Sequence, residues 1–229
     1  MIAAPLAWLL TIVVFVATLV IQFWLQATYA RYSRVANSRG LTGAQVARAI
    51  LDANGLQNVA VEPVPGALTD HYDPTKKKVC LSEVNYGSPS AAALAVAAHE
   101  CGHAVQDAKD YAWLRVRHSI LPAANIGSTL GPIIFIAGFL MGKLGLAAIG
   151  IWMFAAVALF QLITLPVEFD ASNRALGILK RMNFLDGREW NGARSVLTAA
   201  AMTYVAGLAN SLATILYYAS LLSGSRRNG

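Results

Sequence analysis

Charge is what this chain has least of. Asp, Glu, Lys and Arg make up 13% of its 229 residues while 56% are hydrophobic, where an ordinary soluble domain is about 25% charged. That composition argues against a water-soluble globule and for a membrane protein. Cysteine is scarce too: Cys80 and Cys101 are too few for a disulfide framework, and both are expected to be reduced structural thiols. No charged side chain occurs from Met1 to Ala30. The basic n-region of a cleaved signal peptide is therefore missing, and the apolar run is too long for an h-region, so a retained signal anchor is expected. The formal net charge is +6, but the basic residues lie among acidic ones and beside apolar runs. That is the pattern of membrane anchoring, and no nucleic-acid partner is expected.

The apolar residues fall into runs that divide the chain. The run from Leu6 to Ala27 would span about 33 Å as a helix, enough for a bilayer core, with Trp8 and Trp24 placed to reach the two interfaces. Residues 119–142 and 144–167 are uncharged on either side of Lys143 and predict a transmembrane hairpin, in which Pro122, Pro132 and Pro166 are expected to break or kink the helices. Residues 195–225 carry no charge, and Asn210 with several Ser and Thr suits packing in protein better than facing lipid. The expected fold is a mainly α membrane protein with about four transmembrane helices. Residues 1–30 form the first span, 31–118 a polar region, 119–167 the hairpin, 168–194 a second polar insert of helix and loop, and 195–229 a last span with its tail.

Within the first polar region, Thr42 is a plausible N-cap for an amphipathic helix over 44–51 that Gly55 would end. Residues 59–63, 69–73 and 76–82 read as short strands of a small sheet. If the last of these lies at the edge, Lys76, Lys77 and Lys78 would guard it while its open hydrogen-bond row could hold an extended peptide. Ser88 as N-cap and Pro89 at the first helical position predict a helix running through Asp107.

That helix contains His99-Glu100-Cys101-Gly102-His103. Residues four apart lie on one helical face, so both imidazoles can turn toward one ion, with Glu100 beside them. Zinc held by two neutral imidazoles and one more ligand keeps a coordination position open and acidifies the water there, and Glu100 would take its proton as general base. The bland alternative is a chance match of two core histidines. Cys101 points away from both histidines and makes a poor ligand, Gly102 removes a side chain near the metal face, and Asp107 is a candidate acceptor for an imidazole N–H. His71, between Asp70 and Asp73, reads as structural.

A third ligand is needed, and Glu168 is the first candidate. Two membrane crossings after His103 bring the chain back to the same side of the bilayer, and on a helix Glu168 shares a face with Ala171, Ser172 and Ala175, small residues that permit a close approach. Asp170 is the second candidate, on another face. The competing reading of Glu168 is an interfacial carboxylate paired with Arg174. Arg31, Arg34, Arg39, Arg115, Arg117, Arg174, Lys180, Arg181, Arg188 and Arg194 fall on the histidine side, against Lys143, Arg226 and Arg227 on the other. That side is expected to be cytoplasmic in a multi-pass protein of the cell (inner) membrane.

These residues carry a resemblance. The His99–His103 helix, a membrane hairpin and then Glu168-Phe169-Asp170-Ala171-Ser172 resemble integral-membrane zinc peptidases of the HtpX and CAAX-prenyl-protease type. More closely, Leu68-Thr69-Asp70-His71-Tyr72-Asp73-Pro74, Ala97-Ala98-His99-Glu100 and Leu165-Pro166-Val167-Glu168 resemble the YugP-like neutral zinc metallopeptidases. The resemblance implies a zincin-like catalytic region between the first and second spans, with one Zn2+ held by His99, His103 and Glu168. Where the HtpX-like pattern has an Asp four residues after the glutamate, this chain has Ser172. The expected activity is a zinc-dependent endopeptidase acting on membrane or membrane-proximal proteins. A zinc-binding membrane scaffold without turnover is the alternative, and a transporter is disfavoured because no ionisable group lies inside the spans.

Overall fold

A computed structural model describes residues 4–225. Arg226 and Arg227, two of the basic residues weighed above for orientation, lie outside the described residues. The chain divides into a membrane unit (Met1–Gln22, Arg115–Pro166 and Met202–Gly229) and an α/β unit (Phe23–Leu114 and Val167–Ala201). Seven helices and three strands are described: α1 (Ala4–Tyr32), α2 (Gly43–Ala53), β1 (Ala60–Val64), β2 (His71–Asp73), β3 (Lys78–Ser82), α3 (Glu83–Gly87), α4 (Ala91–Ala108), α5 (Ala112–Leu140), α6 (Leu144–Arg181) and α7 (Gly187–Ser225). The fold is thus mainly helical with one small sheet. Helices α1, α5, α6 and α7 are each long and apolar enough to cross a membrane.

In the α/β unit the centre is α4, buried on nearly all sides. Its first turns are alanine, so neighbours approach its backbone rather than long side chains. The packing against it comes from α2, which buries Val46, Ala47, Ile50 and Leu51, from β3 through Val79 and Leu81, and from the 167–201 segment through Ala175, Ile178 and Leu179. Thr42 caps α2 as expected: its hydroxyl accepts from the Gln45 N–H while the Gln45 side chain accepts from the Thr42 N–H. Gly55 follows at φ +74°, the left-handed turn a Cβ would disfavour.

Two local expectations are corrected. The cap of α4 is Ser90, whose hydroxyl accepts from the Ala93 N–H at 3.2 Å; Ser88 instead ends the short helix α3. Both serines precede an alanine run, and α3 was not visible as a helix because it is five residues long. In the sheet, the order is β1-β3-β2, with β1 parallel and β2 antiparallel to β3. The lysine-bearing strand is therefore the centre. Its Val79, Cys80, Leu81 and Ser82 are buried and its hydrogen-bond row is filled on both sides, so it offers no edge to a peptide. Only Lys78 of the three lysines lies in the strand, pairing with Glu62 at 2.7 Å.

The prolines do not end their helices: Pro122 and Pro132 lie inside α5 and Pro166 inside α6. The third apolar run and the segment from Glu168 to Arg181 are consequently one helix of 38 residues. A turn at 182–186 follows, and α7 opens with a second capping box. Asp186 accepts from the Arg188 and Glu189 N–H groups, and Glu189 accepts from the Asp186 N–H. In the membrane unit, α5 and α6 meet through Gly127, Gly131, Gly138 and Gly150, and Phe135 stacks on Tyr218 of α7 with ring centroids 3.9 Å apart.

Candidate metal centre

Helical spacing puts His99 and His103 on one face of α4, with ring centroids 4.8 Å apart and planes at 85°. Against that face comes α6. A Cβ on Gly102 would stand 2.7 Å from the Ala171 carbonyl oxygen, so glycine there is what permits the approach. Glu168, one turn before Ala171, is only 2% exposed. Its Oε2 lies 3.2 Å from His99 Nε2 and 3.5 Å from His103 Nε2. One donor atom from each of the three residues falls within 4.8 Å of the others, an arrangement that could hold a metal ion.

The rings are held from behind. Ser172 Oγ, one turn beyond Glu168, is 3.2 Å from His99 Nδ1. The Gln106 Oε1 is 2.9 Å from His103 Nδ1, and the same amide donates through Nε2 to the Val167 carbonyl and to the Asp170 carboxylate, both at 2.8 Å. Those two acceptors fix which end of the amide is oxygen. His103 Nδ1 must therefore carry the proton, leaving its Nε2 lone pair toward Glu168.

Buried carboxylates set the electrostatics. Burial pushes the Glu100 carboxyl above the ordinary carboxylate range; charge on His99 or His103 acts against this, and Glu168 and Asp70 add to it. Burial also opposes a charged His103, but Glu168, Glu100 and the Gln106 oxygen outweigh it and hold the imidazole above its usual value. Two buried carboxylates beside two imidazoles attract positive charge, and a divalent cation would balance them. Two imidazole nitrogens and one carboxylate oxygen form a donor set suited to zinc. Glu100 is buried at 8% exposure, and among the described residues no protein group donates a hydrogen bond to it, so its carboxylate is uncommitted.

The family model described as "Putative neutral zinc metallopeptidase" matches residues 7–223. The chain belongs to this family. It is also 47% identical over 215 residues to the "Putative membrane protease YugP" of Bacillus subtilis (strain 168), a match covering 92% of this chain and 96% of that protein. No solved structure matches the chain.

In this member of the zinc metallopeptidases, the other polar residues weighed from sequence are engaged elsewhere. Asp170, the second ligand candidate, accepts from Gln106 and from Arg174 Nε at 2.5 Å, so Arg174 pairs with Asp170. Asp107 accepts from the Tyr72 hydroxyl at 2.6 Å and from Lys77, and the imidazole support comes from Gln106, one residue earlier. Gln106 was the residue sequence reasoning missed; it stands three after His103 on the same face, a spacing that could have flagged it. Asp70 accepts from Ser82 and Asn85 and ties β3 to α3, while the exposed His71 contacts the Thr69 carbonyl at 2.8 Å. Cys101, fully buried, points its Sγ to the Ala47 carbonyl at 3.5 Å, away from the centre.

Proposed function

We propose that this protein is a zinc-dependent endopeptidase of the cell membrane in which His99, His103 and Glu168 hold one zinc ion and Glu100 is the general base. The observation that supports it most is the trio of donor atoms within 4.8 Å, with His103 and Glu168 buried and His99 half-buried, each imidazole's Nδ1 already engaged and its Nε2 turned inward. When bound, zinc supplies a Lewis acid that polarises the scissile carbonyl and acidifies water. Glu100 takes the proton from the attacking water and returns it to the departing amine nitrogen. Its raised proton affinity suits both halves of that transfer. Ser172 and Gln106 keep the two rings from turning, and the Val167 carbonyl and Asp170 keep Gln106 in place.

The substrates are membrane proteins or segments next to the membrane. Glu168 lies in the same unbroken helix as the third apolar run, two residues past Pro166, which supports this reading. The unit that carries these residues, the catalytic unit in this reading, faces the cytoplasm, a topology supported by the basic residues after the apolar run of α1, at the start of α5, at the end of α6 and at the start of α7. The test is hydrolysis of unfolded and membrane-protein substrates by purified protein, with zinc content measured in parallel. Glu100→Gln should keep zinc and lose cleavage. Equal cleavage by wild type and Glu100→Gln would remove Glu100 from the mechanism, and chelator-insensitive cleavage would remove the metal.

A further inference from the structure

Within the catalytic unit, the last turns of α1 and the first turns of α7 form an open, solvent-facing pocket of about 560 Å3, lined by Arg31, Arg194, Asn191, Thr198, Trp24 and Tyr32 among others. Its volume is in the range of small-ligand sites, about 300–1,000 Å3. No carboxylate lines it. The two helices meet beside it: a Cβ on Gly192 would stand 2.5 Å from the Tyr32 ring, so the ring rests on the α7 backbone where only glycine leaves room.

The two arginines are the unusual feature. Among the described residues neither has an acidic partner, whereas Arg48 and Arg174 each pair with an Asp four residues away on the same helix. Arg31 lies over the Tyr32 ring at 5.4 Å and Arg194 over the Trp190 ring at 5.7 Å. Stacking orients a guanidinium without neutralising it or using its N–H donors. Ser195 spends its hydroxyl proton on the Asn191 carbonyl at 2.8 Å, but Thr198 and the Asn191 amide remain as donors. Two unneutralised forks and two neutral donors around one cavity suit a phosphate group.

The sequence supplies the other half of the ligand. Arg31 is the first charged residue of the chain and follows an apolar run. Phe23 is 73% exposed and Trp24 42% exposed on α1 just before it, so an anion held here has an open apolar surface beside it. We propose that this cavity binds an anionic phospholipid, its phosphate held by Arg31 and Arg194 with Thr198 and Asn191, and its acyl chains lying along Phe23 and Trp24. The site is separate from the metal centre and does not depend on peptidase activity.

The test is native mass spectrometry of the full chain in detergent, counting retained phosphatidylglycerol against phosphatidylcholine. Phosphatidylglycerol should be retained preferentially. Each interfacial arginine contributes about 1 kcal/mol, so Arg31→Gln or Arg194→Gln should weaken retention about fivefold and the double variant about 25-fold. Thr198→Glu, which keeps both arginines and adds a carboxylate, should also release the lipid. Arg34→Gln with Arg188→Gln removes two basic residues outside the cavity and should change little. Three results would overturn the proposal: full retention by the double variant and by Thr198→Glu; an equal loss in the Arg34/Arg188 control; or displacement of the lipid by excess inorganic phosphate, which would make this a free-phosphate site.

Discussion

In the catalytic unit, Gly102 brings α4 against the Ala171 backbone of α6; in the membrane unit, Gly127 meets the Met153 carbonyl, Gly138 the Ala147 amide and Gly150 the Phe135 amide. The local device is the same, an absent Cβ at a helix crossing. What it delivers differs. At Gly102 the approach places a buried carboxylate and a hydroxyl beside two imidazoles, and a glutamine between an imidazole and an aspartate. At the membrane glycines it delivers close backbone packing and the Phe135–Tyr218 stack. Lipid tails are as apolar as leucine, so membrane helices gain little by burying apolar surface and depend on close packing instead. In the catalytic unit, apolar burial around α4 stabilises the scaffold, and the polar groups inside it are free to serve chemistry.

The comparison is tested most severely at the ligands. Glu168→Ala or His103→Ala should abolish stoichiometric zinc binding, read by elemental analysis of purified protein. Glu100→Gln should leave zinc in place and lower peptide hydrolysis by about 10²–10⁴-fold. No single substitution in the membrane unit is expected to do either. Loss of zinc in Gly150→Val, with the fold intact by size exclusion and circular dichroism, would dissolve the distinction between the two kinds of crossing.

Next comes the crossing itself. Gly102→Val forces a branched side chain into the Ala171 carbonyl, and overpacking of this kind costs about 1–3 kcal/mol or more. Because the ligands sit on both sides of that crossing, lower thermal stability should come with lower zinc content. Gly150→Val should lower thermal stability in detergent with zinc content unchanged. If both variants lose stability and zinc in the same proportion, the crossing has no special tie to the metal centre.

The ring supports should give smaller effects, graded by geometry. Gln106→Leu leaves the His103 Nδ1–H and the Asp170 carboxylate short of a partner, and removing such a support typically costs about 10–100-fold in metal affinity. Ser172→Ala removes one longer contact of 3.2 Å from a hydroxyl and should cost less. Ser172→Asp, restoring the residue of the HtpX-like pattern, should tighten zinc. Competition with a chromophoric chelator reads all three, and a Ser172→Ala effect larger than that of Gln106→Leu would reverse the assigned order of support.

Much of this was legible before any coordinates. That His99, His103 and Glu168 come together follows from residue type, helical period and crossing parity, and the four apolar runs are long enough to announce themselves. What sequence left hidden depends on partners distant in the chain. Gln106 acts through Val167 and Asp170, some sixty residues on. The place of β3 at the centre depends on β1 pairing parallel across an intervening hairpin, which strand propensity does not encode. Of the expected break or kink at Pro166 the break does not occur, because a proline costs a helix one hydrogen bond that a surrounding bundle can tolerate. The Asp186–Glu189 capping box, by contrast, was readable and went unread.

The smallest effect is expected at Cys101, where sequence proximity and structural role diverge most. It sits between His99 and His103, next to Glu100, yet its Sγ is buried against the Ala47 carbonyl on the α2 side of α4. Burial pushes its thiol well above the ordinary cysteine value, and the neighbouring Glu100 charge adds to this. Below a raised pKa the group stays protonated, and alkylation requires the thiolate, so the folded protein should resist iodoacetamide at neutral pH and react only on unfolding. Cys101→Ala should leave zinc stoichiometry and peptide hydrolysis unchanged and lower thermal stability slightly. Rapid alkylation of native protein with parallel loss of zinc would place the thiol at the metal centre and redraw which face of α4 the chemistry uses.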